Sequence, residues 1–243
     1  MIWKGRHAVI LSICFIVAVL QAGLQYAMGI QMNIEYEKDN KERIPFEHYL
    51  EEFRKIDPIE ASRRTGVPFD EEKQAFTLRM MQKEYLIFYP EFRVEKAETD
   101  DEGYGALLDE VAAKIIAIRF LTKGVASETT GKYLTYREVP WGEVYFRQFQ
   151  GRCLMRLAFS YGSKLELFQA QMEKVGASKL ESGDVSYEFE FINGYFVRFI
   201  LWAGDDEFPP SSQILFSDNF PLSFEAEDLA VVGDVSIGTL KKI

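Results

Sequence analysis

The chain has little cysteine and little histidine, and this scarcity removes several classes of function. Its 243 residues include two cysteines, Cys14 and Cys153, and two histidines, His7 and His48. No CxxC pair is present, so the sequence excludes a disulfide framework and argues against zinc or iron–sulfur sites. One histidine, His48, is left outside the apolar N-terminal region for a catalytic triad, and we favour a surface histidine on an amphipathic helix.

Common phosphate-binding and catalytic motifs are also missing. The run Gly131-Lys132 lacks the spacing of a P-loop, because six residues separate it from Gly124 and Tyr133 follows the lysine. The sequence contains no GxGxxG, HExxH or GxSxG motif and no EF-hand loop. The motifs therefore name no reaction.

Positive charge is scarce. The chain has 38 acidic and 28 basic residues, and residues 1–31 contain two of the basic residues and none of the acidic ones. An acidic body repels phosphate backbones, so we expect no nucleic acid as a partner. Hydrophobic residues make up 47% of the chain and aromatics 14%, which is enough to bury a core and predicts a folded domain.

A single long apolar run lies near the N-terminus. Residues 8–30 are almost unbroken apolar sequence, and three interpretations stay open for the segment 1–31. It is a membrane tether, a signal peptide, or sequence upstream of a true start at Met28 or Met32. The first predicts a single-pass membrane protein and the last a cytoplasmic one. Residues 32–43 follow as a charged linker.

Residues 44–243 are predicted to form a single α+β domain with an antiparallel sheet and helices packed on one face. Asn193-Gly194, between two strand-like arms, predicts a hairpin with a type I′ turn. Glu188 and Glu190 alternate with aromatic residues, which predicts one buried and one wet face. The returning arm, 195–202, is apolar on both faces and predicts an interior strand.

Helical patterns cover much of the remainder. Residues 104–123 have a wide apolar stripe and predict one continuous helix. Residues 142–175 predict two or three short helices that end at Gly176. The pattern from Glu225 to the C-terminus predicts a helix weakened by two glycines. A further hairpin is expected over residues 75–89.

The segment 132–156 is basic and aromatic within an acidic protein. Two arginines four residues apart share a helix face, and such a pair suits a phosphate or carboxylate, while aromatic rings can stack on a planar ligand. The alternative is internal ion pairing with the many acids. The predicted ligand-binding residues are Arg137, Trp141, Arg147, Arg152 and Arg156.

The second candidate is an acidic loop that follows the predicted interior strand. Carboxylate oxygens are the ligands that Mg²⁺ and Ca²⁺ prefer, so this loop predicts a divalent cation and a metal-assisted enzyme. The alternative is a solvated turn stiffened by prolines. The predicted metal ligands are Asp205, Asp206 and Glu207, with Asp218, Glu227 and Asp228 as neighbours in the fold.

Several ordered blocks carry a resemblance to a known family. They are Gly131-Lys-Tyr-Leu-Thr-Tyr-Arg-Glu138, the segment 142–152, Gly183-Asp184, and Trp202-Ala-Gly-Asp-Asp-Glu-Phe-Pro-Pro210 with the residues after it. Together they resemble the bacterial and archaeal family called domain of unknown function 3786, from about residue 46 onward. The resemblance implies a prokaryotic protein and carries over no catalytic residue. Members of that family lack an apolar N-terminal run, which favours the later start.

Three functions are therefore weighed. The leading one is a binding module for a small anionic or planar ligand, or for a protein partner. The second is a metal-assisted enzyme centred on the acidic loop, and the third is a membrane-tethered scaffold. We lean against an enzyme.

Overall fold

A computed structural model describes residues 44–98 and 103–243. The predicted apolar segment 1–31 and the charged linker 32–43 lie outside the described residues. Residues Phe46–Ile243 form one compact unit. Within the described ranges, no helix combines the length and the apolar character needed to cross a membrane.

The described strands form one sheet in which all pairings are antiparallel. The strand order is β4-β3-β2-β7-β8-β9-β5, with β1 beside β2 and β6 beside β7. The strands are β1 (Phe69–Asp70), β2 (Ala75–Met80), β3 (Lys83–Phe88), β4 (Arg93–Lys96), β5 (Tyr133–Thr135), β6 (Ser178–Leu180), β7 (Val185–Ile192), β8 (Tyr195–Trp202) and β9 (Ser211–Ser217).

Helices supply the rest of the domain, so the predicted α+β class is confirmed. They are α1 (Ile44–Phe53), α2 (Pro58–Thr65), α3 (Ala106–Asp109), α4 (Val111–Lys123), α5 (Gly142–Phe149), α6 (Arg156–Tyr161), α7 (Leu165–Val175) and α8 (Ala226–Leu240). A π-helical segment, Gln150–Met155, joins α5 to α6, and short 3₁₀ turns cover Tyr136–Glu138 and Phe220–Leu222.

The centre of the sheet is covered by helices on one face. Phe168 of α7 contacts Tyr187 of β7 with ring centroids 6.0 Å apart, and Phe149 of α5 lies 6.1 Å from Phe216 of β9. The strand β8 lies between β7 and β9, as its apolar pattern predicts. Val197, Phe199 and Leu201 of β8 are fully buried, whereas its alternate residue Trp202 is 40% exposed.

The opposite face of the sheet carries ion pairs. Arg198 of β8 donates to Glu188 of β7 at 2.7 Å and stacks on Tyr133 of β5, with the guanidinium 3.5 Å from the ring centroid. Arg79 of β2 binds Glu190 of β7 through two hydrogen bonds of 2.8 Å. The prediction that Glu190 lies on a solvent-exposed face is therefore wrong. Glu190 is 8% exposed, because its pairing with Arg79 and the neighbouring strand β2 cover it.

The hairpin at Asn193-Gly194 is confirmed, but its turn type is not. Only Gly194 has a positive φ, 82°, whereas a type I′ turn needs positive φ at both central residues. A bulge between Glu190 and Ile192 shifts the register just before this turn. The two successive positive φ values occur instead at Met81 and Gln82, in the β2–β3 hairpin, at 51° and 63°.

Tertiary contacts explain why the two positive φ values occur in the β2–β3 hairpin and not at Asn193-Gly194. The backbone N–H of Met81 donates to Phe191 O at 2.8 Å, so the β2–β3 turn is held against the bulged part of β7. Asn193 instead accepts a hydrogen bond from the backbone N–H of Arg79 at 2.9 Å. Pairing between the hairpins thus decides the turn geometry over the local preference of asparagine and glycine.

The single helix predicted over 104–123 is also wrong, because it breaks at Glu110. Glu110 has an extended backbone, φ −124° and ψ 121°, and separates α3 from α4. Its carboxylate lies 3.1 Å from Lys242 and packs on α8. A Cβ atom at Gly238 would lie 2.9 Å from this carboxylate, so Glu110 packs closely on α8, which runs unbroken past the glycine.

Candidate functional site

The feature that organises the candidate site is a tight turn before α5. The backbone N–H of Gly142 donates to Val139 O at 2.9 Å, with Pro140 and Trp141 between them. Trp141 has φ 65° and ψ 0°, the conformation of the third residue of a type II turn, where glycine is usual. A Cβ at Gly142 would lie 1.7 Å from Tyr136 O, so the turn excludes a larger residue at that position.

This turn places the Trp141 side chain at the surface, where it is 75% exposed. A cleft of about 440 Å³ lies beside it, lined by Trp141, Tyr145 and the start of α8 with Glu225, Ala226 and Glu227. We call these five residues the Trp141 pocket. Its walls are two aromatic rings from α5 and its N-terminal turn, and two carboxylates from α8.

Tyr136 fixes the start of α8 beneath this pocket. Its hydroxyl donates to Ala226 O at 2.8 Å, and its ring stacks on Phe149, with centroids 3.9 Å apart and planes 4° apart. Burial raises the pKa of Tyr136 to about 12, so the hydroxyl stays protonated and keeps donating at neutral pH. Tyr136 therefore joins the two walls of the pocket, contacting α5 through the stacked rings and α8 through the hydrogen bond.

The charge of the Trp141 pocket is negative. Glu225 accepts the Asp228 backbone N–H in a capping box and lies 3.5 Å from Arg119, which also contacts Asp228 at 2.9 Å. Glu227 is exposed and forms no salt bridge within the described residues. The charge of Glu225 is thus partly neutralised by Arg119, whereas Glu227 faces solvent.

The predicted arginine pair binds an internal carboxylate. Arg152 donates to Asp234 of α8 at 2.9 Å through Nε, and Arg156 donates to the other carboxylate oxygen through Nη1. Asp234 is 25% exposed on its side chain. The two guanidinium groups do share a face, as their spacing predicts, but the anion that they hold belongs to the protein.

The other two predicted arginines lie apart from this pair. The guanidinium of Arg137 stacks on Phe146 at 3.8 Å from the ring centroid and lies 3.6 Å from Glu143. Arg147 is exposed, and no salt bridge to it occurs in the described part of the chain. Neither residue lines the Trp141 pocket.

The acidic loop binds its own backbone. Asp205 accepts hydrogen bonds from the backbone N–H groups of Glu207 and Phe208 at 2.8 and 2.7 Å. These bonds hold the pKa of Asp205 below its usual value. Asp206 and Glu207 are exposed in the same loop. This geometry is that of a turn stabilised by aspartate.

Two of the acids expected to join the loop have other partners, and the third lines the Trp141 pocket. Asp218 accepts from Thr129 at 2.7 Å, Asp228 contacts Arg119, and Glu227 lines the Trp141 pocket. Across 44–98 and 103–243, no three acidic, histidine or cysteine side chains are grouped so as to hold a metal ion. The predicted cation site at Asp205, Asp206 and Glu207 therefore stays a prediction without a cluster around it.

Cys153 and His48 are ordinary structural and surface residues. The Cys153 thiol is fully buried, lies 3.4 Å from Ala230 O, and has its pKa raised to about 12 by burial. Its neighbour Arg152 is engaged with Asp234. His48 is exposed on α1, 3.7 Å from Glu52.

The sequence patterns did not reveal two acids, one of which neutralises the arginine pair while the other adds negative charge to the Trp141 pocket. Asp234 and Glu225 lie more than 70 residues from their partners Arg156 and Trp141 along the chain, so no local pattern connects them. The sole available signal was indirect: an acidic protein has acids near most of its arginines.

One comparison with known proteins identifies the family. The model described as Domain of unknown function (DUF3786) matches residues 57–239. The chain belongs to this family. The DUF3786 match spans the whole Trp141 pocket and the Arg152–Asp234–Arg156 cluster. Searches of the curated proteins and of the solved structures found no match.

Proposed function

We propose that this domain is a binding module and that the Trp141 pocket takes the cationic group of an organic ligand. The observation that carries the proposal is the pairing of an exposed indole and a tyrosine with two carboxylates around a cleft of about 440 Å³. Ammonium and guanidinium groups are attracted to the faces of tryptophan and tyrosine, and the attraction adds to that of a nearby carboxylate.

The same geometry argues against an anionic ligand at this place. None of the four arginines predicted to bind an anion lines the pocket, and both charged lining residues are glutamates. An anion there would meet two like charges at short range, which is unfavourable. The planar-ligand part of the sequence prediction is retained, because a guanidinium or an aromatic ammonium can stack on the rings.

The backbone of Trp141 supports the proposal as well. A bulky residue in a left-handed conformation is destabilising by roughly 1–2 kcal/mol, and strained residues of this kind cluster at ligand sites. Trp141 has little packing to offset that strain, since three quarters of its surface is exposed. A role for the ring in binding accounts for both features.

Choline provides the test, with 3,3-dimethylbutan-1-ol as an uncharged probe of nearly the same shape. We expect calorimetric titration to give saturable choline binding and at least about tenfold weaker binding of the alcohol. Trp141→Ala and Glu227→Gln should each weaken choline binding. Arg147→Ala, an exposed substitution on the same helix but outside the pocket, should leave it unchanged.

Agmatine, which carries guanidinium and ammonium groups, serves as the second cation in the same titration. If neither cation binds, or if the alcohol binds as well as choline, the cation proposal is wrong. Equal affinity in the wild type and Trp141→Ala would also contradict it, because the indole would then have no part in recognition.

No structural observation favours the other two functions over this one. The metal-assisted enzyme rests on a loop whose Asp205 is engaged by its own backbone. The membrane-tethered scaffold rests on residues 8–30, which lie outside the described residues. Both stay predictions from the sequence.

A further inference from the structure

A second cleft lies on another part of the surface, at the junction of α6, α7 and the C-terminal end of α8. Its volume is about 340 Å³. Lining residues come from α6, from α7, from the turn between them, and from Lys241, which directly follows α8. Those used below are Phe159, Tyr161, Lys164, Leu167, Gln171 and Lys241, and we call them the Tyr161 cleft.

Two buried polar side chains of this cleft have no hydrogen-bond partner in the described residues: the Tyr161 hydroxyl and the Gln171 amide oxygen. Tyr161 is 2% exposed and Gln171 is 8% exposed. Buried polar atoms in native proteins are nearly always hydrogen-bonded, because losing water without gaining a partner is unfavourable. Both residues thus line the cleft, and each has a buried polar atom that lacks the partner its burial demands.

The charge of the Tyr161 cleft is opposite to that of the whole molecule. Lys164 and Lys241 line it, and no acidic residue does, although the chain has a net charge of −10. Neither lysine forms a salt bridge with any residue of the described ranges. Two unpaired ammonium groups beside one opening favour an anionic group there.

The cleft also has an apolar part. Phe159 is 60% exposed and Leu167 is 46% exposed, so two large apolar side chains border the same opening as the two lysines. Burying this surface under an apolar group is favourable. A volume of about 340 Å³ falls at the small end of pockets for small organic molecules.

We infer that the Tyr161 cleft binds a small organic acid that carries an apolar group and a hydrogen-bond donor. The acid's anionic group faces Lys164 and Lys241, and its apolar group covers Phe159 and Leu167. Its donor satisfies the amide oxygen of Gln171, and the Tyr161 hydroxyl supplies a second polar contact.

The Tyr161 hydroxyl is suited to this contact. Burial raises the pKa of Tyr161 to about 12, so the group is an uncharged donor at neutral pH. An uncharged hydroxyl can donate to an anion without repelling it.

N-acetyl-L-leucine contains all three groups: a carboxylate, an amide N–H and an isobutyl side chain. We expect it to bind the full chain saturably in a saturation-transfer NMR titration carried to about 10 mM, a range that covers weak small-molecule sites. N-acetyl-L-leucinamide lacks the charge and 4-methylpentanoate lacks the amide. Each should bind at least about fivefold more weakly, because each loses one of the proposed interactions.

Four variants assign the binding to this cleft. Lys164→Glu and Lys241→Glu change exposed side chains and should lower the affinity at least about tenfold when combined, because they reverse both charges. Tyr161→Phe and Gln171→Leu remove the two unpartnered atoms and should each lower it by about fivefold. Lys123→Glu reverses the charge of an exposed lysine on α4 outside the cleft, serves as the control for each single lysine variant, and should leave the affinity unchanged.

Stability separates a binding role from a folding role. Removing an unpartnered buried polar atom is neutral or stabilising, so the unfolding midpoint of Tyr161→Phe should stay equal or rise while its affinity falls.

Three results would overturn the inference. They are the absence of saturable binding of N-acetyl-L-leucine, equal binding of the neutral amide, and an unchanged affinity in the lysine double variant. Trp141→Ala should leave this binding intact, so the two sites are tested separately.

Discussion

Single residues decide the chemistry of this domain more than any motif does. Trp141 occupies a turn position where glycine is usual, and Cys153 and Tyr161 are buried so deeply that burial raises both pKa values to about 12. None of these properties follows from residue type alone. They follow from backbone conformation in the first case and from the loss of water in the other two.

The strain at Trp141 can be measured by comparing two substitutions. Both Trp141→Ala and Trp141→Gly remove the ring, but only glycine adopts φ 65° without a steric penalty. We expect Trp141→Gly to be more stable than Trp141→Ala by about 1 kcal/mol in urea unfolding. Both should lose choline binding.

Gly142→Ala is the control for this comparison. Its Cβ would lie 1.7 Å from Tyr136 O, so this substitution at the next turn position should lower stability, and it shows that the turn geometry persists in solution. If Trp141→Gly and Trp141→Ala are equally stable, the turn holds no strain and the backbone argument for the Trp141 pocket fails.

The buried thiol of Cys153 predicts how stability depends on pH. Its pKa is about 12 in the folded chain, above the value of about 8.5 of an exposed cysteine. Above pH 8.5 the unfolded chain releases this proton and the folded chain keeps it, so stability is full below that pH and falls as the pH rises. Between pH 9 and 10 we expect the wild type to lose about 1 kcal/mol more than Cys153→Ala.

Urea unfolding at pH 7, 9 and 10 checks this difference. Tyr136 and Tyr161, whose pKa values are also about 12, start to contribute above pH 10, the usual tyrosine value, and are common to both proteins. Equal pH slopes in the wild type and Cys153→Ala would show that the thiol titrates in the folded chain as it does in the unfolded one.

Among the elements, α8 is the helix on which α3, α4, α5 and the π-helical segment pack. Asp234 binds the π-helical segment and α6, Glu225 and Ala226 form one wall of the Trp141 pocket, and Lys241 lines the Tyr161 cleft. The helix holds these positions because it runs unbroken over 15 residues despite its two glycines. Both glycines lie where another residue packs closely on α8.

Removal of the Asp234 carboxylate should create an anion-binding site between Arg152 and Arg156. Asp234→Ala leaves two partly exposed guanidinium groups without a partner, and we expect a loss of about 1–2 kcal/mol in the free energy of unfolding. Added phosphate should then restore stability in this variant, since Arg152 and Arg156 already form an anion-binding fork. The wild type should gain little from the same concentration of phosphate.

Asp206→Ala removes an equal charge from an exposed loop residue and serves as the control for general electrostatics. Thermal unfolding with and without phosphate is sufficient for the three proteins. A wild type that phosphate stabilises as strongly as Asp234→Ala would mean that Asp234 does not occupy the fork in solution.

At the scale of the whole molecule, one core unites the sheet and its helical cover. The buried apolar cluster extends from Phe53 to Leu240, within the compact unit Phe46–Ile243. The helical cover lies over one face of the central strands, while the other face has the ion pairs of Arg79 and Arg198. A core of this extent should support folding of the unit alone.

We therefore expect residues 46–243, produced alone, to unfold in one cooperative transition at nearly the same urea concentration as the full chain. A chain that starts at residue 67 should be clearly less stable, because it loses Phe53, whose ring contacts Phe76 and Phe92 at 6.2 and 5.1 Å. A broad or multistep transition of residues 46–243 would contradict the single-core interpretation.

The class of fold, the family and the order of most elements can be predicted from the amino-acid sequence. Alternating and helical apolar patterns are local properties, so the hairpin at residues 193 and 194, the interior strand β8 and the helix end at Gly176 could all be predicted. Local patterns also predicted the shared face of Arg152 and Arg156.

The partners of those residues depend on contacts between distant parts of the chain. Asp234 neutralises the arginine fork, Glu225 and Glu227 make the Trp141 pocket acidic, and Glu110 breaks a helix that its apolar stripe predicted to be continuous. Each of these effects joins residues far apart in the chain. Charge and burial act through space, so the sign of a binding site depends on which elements the fold brings together.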